Sequence, residues 1–137
     1  KAMGKLQGQS TSCPTSISQI AAIEALTGDQ SEVGRMREEF KKRRDYIVDR
    51  INRMDGVSCV TPRGAFYVFP DFSSYMDEGR KITCSKDLSM YLLKEKSVVT
   101  VSGDAFGGEG HVRFSYAASD ADLLHAMDFV EETLSEI

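Results

Sequence analysis

The chain has 137 residues, enough for one compact domain that buries a core without disulfides or metals. With 41% apolar and 28% charged residues, it is composed like a soluble globular domain and not like a disordered one. There are 21 acidic against 17 basic residues, so the net charge is -4, opposite to the balance of a dedicated nucleic-acid binder. No apolar run is long enough for a membrane helix.

The first five residues, Lys1 to Lys5, lack an initiator Met and lead into no apolar signal segment, which reads as a cut within a larger protein. Residues 1–15 are small and polar and are expected to form an extended arm. A helix follows from Ser16, carrying Ile17, Ile20, Ala21, Ile23 and Ala25, with Gly28 as its stop. A long helix is expected from about Ser31 to Met54. Val33, Met36, Phe40, Ile47, Ile51 and Met54 lie on one of its faces.

Val57–Val60 and Ala65–Phe69 read as strands, joined by the turn chemistry of Pro62-Arg63-Gly64. A helix over about Ser85–Lys94 would turn Leu88, Leu92 and Leu93 inward. Val98–Val101 reads as a buried strand, Ser102–Gly110 as a glycine-rich loop, and Val112–Ala117 as an alternating strand. The last helix opens at Ser119, with Asp122 three residues on as a capping-box partner, and its stripe is Leu123, Met127, Val130 and Leu134. Grouped helices and strands predict an α+β fold: a small sheet of about four strands packed against helices, one of them long.

Cys13, Cys59 and Cys84 are odd in number and widely spaced, with no C-x-x-C pair. That points to a reducing, cytoplasmic setting and away from a zinc cage or redox pair. His111 and His125, the two histidines, are not spaced as metal ligands, and no Ser-His-Asp or Cys-His arrangement is visible, so no metal and no catalytic residue is assigned. The basic run Lys41–Arg44 is interleaved with Glu38, Glu39, Asp45 and Asp49 and reads as a solvated helix face. The loop Gly103–Gly110 leads into a strand and lacks the Gly-Lys-Ser/Thr of a phosphate loop.

Arg113 is the most informative residue. It interrupts an alternating apolar strand between Val112 and Phe114 and shares a face with His111 and Ser115. Its planar fork matches a carboxylate through two parallel hydrogen bonds. From the pattern alone, an anionic ligand stands level with a structural salt bridge or simple exposure. The cluster Ser10-Thr11-Ser12 could hold an oxyanion or cap the next helix.

Three segments, taken together, carry a resemblance. They are Pro62–Pro70 (PRGAFYVFP), Val101–Gly107 (VSGDAFG) and Gly110–Ala117 (GHVRFSYA). In order and spacing they resemble the C-terminal small domain of fold-type I, pyridoxal-phosphate-dependent aminotransferases. That family's pattern runs P-x-G-A-F-Y-x-F-P, P-G-x-x-F-G and G-x-x-R-x-S-x-A. The arm around Gln9–Gln19 is similar to the bacterial aspartate aminotransferases within it. Ser102 stands where the family usually has proline.

The resemblance implies that Arg113 binds the substrate α-carboxylate, with Phe106 beside the substrate side chain. It also implies that Ser10, Thr11 and Ser12 lie near the dimer interface and the partner subunit's cofactor site. Residues 1–15 would be the arm leading from a missing N-terminal large domain, and 16–137 the small domain. The Schiff-base lysine belongs to that large domain, so this chain alone is expected to be inactive and to bind no pyridoxal phosphate. The parent would be a cytoplasmic homodimer acting on an amino acid and a 2-oxo acid, with no nucleic-acid or membrane partner. Alternatives are another amino-acid transaminase, a ligand-sensing module of a transcription regulator, and an α+β interaction domain whose Arg113 is structural.

Overall fold

A computed structural model describes all of residues 1–137. The elements in chain order are α1 (Ala2–Ser10), α2 (Ser16–Thr27), α3 (Ser31–Asn52), β1 (Tyr67–Val68), α4 (Ser85–Lys96), β2 (Val101–Ser102), β3 (Val112–Ser115) and α5 (Asp120–Glu136). Short 3-10 turns occupy Ser73–Tyr75 and Gly103–Phe106. The chain divides into two compact units, residues 1–36 and 37–137.

The first unit holds α1 and α2. Residues 2–10 are helical, where an extended arm was expected from composition. Ala2, Met3, Lys5, Leu6 and Gln7 are good helix formers, and they outweigh Gly4 and Gly8. The Thr15 hydroxyl caps α2 by accepting from the Ser18 N–H, and the Gly28 N–H closes the other end on the Glu24 carbonyl. No residue of α1 or α2 is buried.

The second unit carries the core. An antiparallel three-stranded sheet of order β1-β3-β2 pairs Val68 with Phe114, Tyr67 with Ser115, and Val101 with Arg113. The fold is α+β as expected, with three strands and not four. Val57–Val60 contributes a single bridge, Ser58 to Asp71, because the Cys59 N–H is bonded to the side chain of Asn52 instead of to a strand. The expected strand at Val98 also shortens to Val101–Ser102. The Val98 N–H bonds to the Leu92 carbonyl and closes α4, behind Ser97 in a left-handed conformation.

One face of the sheet, with Val68, Val112 and Phe114, packs into a buried cluster with Ile47 and Ile51 of α3, Leu88 and Leu92 of α4, and Met127 and Val130 of α5. The stripes are trimmed relative to expectation. Leu93 is exposed because it lies about 100° around α4 from Leu92, and Val33 and Met36 at the front of α3 are exposed as well. The α5 stripe is buried as expected: Leu123, Met127, Val130 and Leu134.

Ser119 caps α5 by accepting from the Asp122 N–H at 3.1 Å. Its hydroxyl also donates to the Asp122 carboxylate at 2.7 Å, so the reciprocal bond of a full capping box is replaced by a side-chain one. Arg50 of α3 reaches Asp128 and Glu131 of α5 and ties the two helices across the core.

Candidate functional site

The period of β3 decides where Arg113 points. Val112 and Phe114 face the core, so Arg113 and Ser115 face the other side of the sheet. Antiparallel register places Tyr67 opposite Ser115 and Val101 opposite Arg113, and paired residues share a face. The Arg113 side chain therefore rises beside Tyr67. Its guanidinium carbon lies 4.4 Å from the Tyr67 ring centroid and 4.5 Å from that of Phe106.

Two aromatic faces thus clamp one planar cation, an arrangement in which the rings' negative faces stabilise the charge. Arg113 is half-buried and lies over these two rings, with no ion pair or hydrogen bond to an acid. The structural salt bridge that the sequence left open is not formed. All five N–H donors remain free of intramolecular acceptors, in a geometry suited to a planar, bidentate anion such as a carboxylate.

Phe106 reaches this position from the far end of the Gly103–Phe106 turn. Its ring meets Phe69 edge-on at 6.1 Å, and Phe69 stacks on the His111 ring at 4.9 Å. The His111 Nδ1 lies 3.0 Å from the Glu109 carbonyl. Two glycines let the loop fold this tightly. A Cβ at Gly103 would lie 2.1 Å from the Gly108 carbonyl oxygen, and one at Gly108 would lie 2.6 Å from the Phe69 ring. Below this wall, the Ser73 N–H donates to Asp71 at 2.9 Å and holds the Asp71 carboxyl below the usual carboxylate range, against the opposing effect of burial.

Of the residues singled out from the sequence, Arg113 and Phe106 come together. Ser10, Thr11 and Ser12 lie in the first unit, at and just past the end of α1. The Ser10 hydroxyl donates to the Leu6 carbonyl, and the Thr11 hydroxyl to the Gln7 carbonyl at 2.8 Å. His125 is an exposed residue of α5, and the three cysteines are unpaired thiols.

Sequence reasoning passed over Tyr67 and Phe69. The signal was present, since alternation through Ala65–Phe69 places both on one face, away from Val68. It also passed over Ser85 and Asp104, whose side chains are hydrogen-bonded at 3.0 Å beside the Gly103–Phe106 turn. Their meeting is tertiary and has no local signature.

The chain belongs to the class I and II aminotransferase family, whose family model matches residues 1–130.

It is 45% identical over 130 residues to an aspartate/prephenate aminotransferase of Cereibacter sphaeroides, covering 92% of this chain and 32% of that protein. It is 41% identical to an aspartate aminotransferase of Rhizobium meliloti, covering 93% of this chain and 32% of that protein. A crystal structure of aspartate aminotransferase from Rhizobium meliloti superposes with a TM-score of 0.88 at 38% identity, covering 98% of this chain and 34% of that one. An aromatic aminotransferase from Pyrococcus horikoshii superposes with a TM-score of 0.85 at 40% identity, over 96% and 35% of the two chains. The chain thus spans about a third of the length of the curated relatives it matches.

Proposed function

We propose that this chain is the carboxylate-binding portion of an aspartate-type aminotransferase, which moves an amino group from an L-amino acid to a 2-oxo acid. One observation carries the reading: the Arg113 guanidinium lies over the Tyr67 and Phe106 rings with no acid of its own chain to satisfy it. An α-carboxylate fits that fork through two charge-assisted hydrogen bonds, each worth roughly 1.5–3 kcal/mol. Phe106, at the rim and half exposed, flanks the space a substrate side chain would take. The aspartate assignment is supported by the names of the sequence relatives, which include aspartate and aspartate/prephenate aminotransferases.

In this role Arg113 binds and orients. Fixing the carboxylate plane fixes the direction of the Cα–H bond, and such alignment turns binding energy into rate. Tyr67 and Phe106 keep the guanidinium plane from rotating and shield its faces from water.

The residues grouped around Arg113 do not fit pyridoxal phosphate, the cofactor the family implies. They offer no lysine amine. Lys96 is engaged by Glu132 and Glu136, Lys42 by Glu39, and Lys81 lies over Tyr91. In this reading the cofactor, the lysine that holds it and the remaining substrate contacts come from the rest of a longer, homodimeric polypeptide. Ser10, Thr11 and Ser12 would then stand near the partner subunit's cofactor site.

Arg113→Lys keeps the charge and loses the fork. In the full-length enzyme we expect kcat/KM for aspartate to fall about 100-fold, on the scale of one or two lost charge-assisted bonds. Turnover close to that of the parent would sink the assignment.

A further inference from the structure

The basic residues of α3 are sorted by the turn of the helix. At about 100° per residue, Arg37, Lys41 and Arg44 fall within about 60° of one another. Lys42 and Arg43 turn away from them and pair with Glu39 and Asp120. The three on the common stripe line a cavity of about 380 Å³, and Arg63 joins them from the turn before β1. Phe40 and the buried Tyr116 supply an apolar wall. Tyr116 continues the alternation of Val112 and Phe114, so this cavity belongs to the side of the sheet away from Arg113.

The charge of the cavity is unbalanced. Arg37 pairs with Glu38 at 3.0 Å and Arg44 with Asp45 at 2.6 Å. Lys41 and Arg63 have no ion pair and no hydrogen bond to an acid. Four cations thus meet two carboxylates, a local charge of +2 in a chain whose net charge is -4. The turn that carries Arg63 is also tied down on both sides. The Arg44 Nη1 donates to the Pro62 carbonyl at 3.3 Å, and the Tyr116 hydroxyl donates to the Ala65 carbonyl at 2.9 Å. Between these anchors Arg63 stays exposed, and Ala65 is held at φ 59, in the left-handed region that residues other than glycine seldom occupy. Strain fixed by its surroundings in this way collects at ligand sites.

We infer that this cavity binds a ring-bearing organic phosphate, with the phosphate between Lys41 and Arg63 and the ring against Phe40. Two uncommitted cations match a dianion, and the guanidinium fork of Arg63 suits phosphate oxygens. The partly exposed Phe40 ring favours a flat body over bare inorganic phosphate. The volume is that of a small-molecule site. Arg37 and Arg44 add to the field while keeping their own partners. None of this depends on the carboxylate reading of Arg113.

The probe is adenosine 5′-monophosphate, titrated into the 137-residue chain and followed by amide and arginine Nε–H chemical shifts. The nucleotide should give saturable shifts at Lys41, Arg63 and Gly64. It should bind at least about 10-fold more tightly than inorganic phosphate, with adenosine giving no shift at these residues. Arg63→Gln and Lys41→Gln, both at exposed side chains, should each weaken binding roughly 10-fold. Glu38→Gln removes a competing carboxylate and should tighten it about 2- to 3-fold. Arg113→Lys should leave it unchanged.

Shifts that rise without saturating and spread over all the basic residues would overturn the site. So would an unchanged affinity in the Arg63→Gln, Lys41→Gln double variant, or a loss of binding in Arg113→Lys, which would place the nucleotide at the other face. Inorganic phosphate binding as tightly as the nucleotide would overturn the ring-bearing class, and adenosine binding as tightly would overturn the phosphate.

Discussion

The two units obey the same local rules and reach different ends. In residues 1–36, α2 has a capped start, a glycine stop and a run of good helix formers, yet none of its side chains is buried. Ile17, Ile20, Ile23 and Leu26 recur at steps of three, each step retreating about 60° around the axis, so they spread over half the circumference and form no stripe. In residues 37–137, α5 has the same kind of hydroxyl cap, but its apolar residues recur at three and four and stay on one buried face. Caps and propensity thus write helices into the chain in both units. Only the second unit also writes in what those helices pack against.

The comparison is most easily broken with matched isoleucines. Ile51→Ala, at a fully buried position, should lower unfolding free energy by about 2–5 kcal/mol in urea. Ile20→Ala, at a side chain 68% exposed, should change it by less than about 0.5 kcal/mol. Equal losses would mean that α2 takes part in the same cooperative core.

Matched caps sharpen the point. Ser119→Ala should lower the global unfolding free energy by about 1 kcal/mol. Thr15→Ala should leave the global transition in place and reduce only helical signal and amide protection in residues 16–27.

The shallowest effect is set by pH and belongs wholly to the second unit. The Asp71 carboxyl is held below its ordinary range by the Ser73 N–H, so its contribution is present above the unfolded value near 4 and lost as pH falls through the lowered one. Asp71→Asn should flatten the acid limb of the stability profile of that unit and leave α2 helicity untouched. An unchanged acid limb would show that the bond to Ser73 is made equally by the unfolded chain.

What the sequence disclosed follows the reach of each signal. α5 was legible residue by residue because its cap and its stripe are both local. The face of Arg113 was legible from a period of two, and so, in principle, was that of Tyr67. β2 was misjudged at Val98 because a β-branched run says nothing of which N–H the preceding helix needs for its own end. The helix over residues 2–10 was missed because two glycines and a polar look outweighed the better helix formers between them. The meeting of Ser85, Ser102 and Asp104 was beyond reach: Ser85 and Ser102 are 17 residues apart and meet only once α4 has packed beside the sheet edge.

The aromatic clamp on Arg113 also bears on how fast a ligand can arrive. An arginine tied to an internal carboxylate must first break that pair, and the arriving anion waits on the opening. Here π faces hold the cation and no internal acid competes for its donors. In the carboxylate-binding role proposed for Arg113, capture would run at the pace of encounter, with attraction damped by ionic strength over a Debye length of about 8 Å at physiological salt. The association rate for a small carboxylate should therefore fall smoothly as salt is added and show no plateau at high ligand concentration, which marks a site that is ready before its ligand comes.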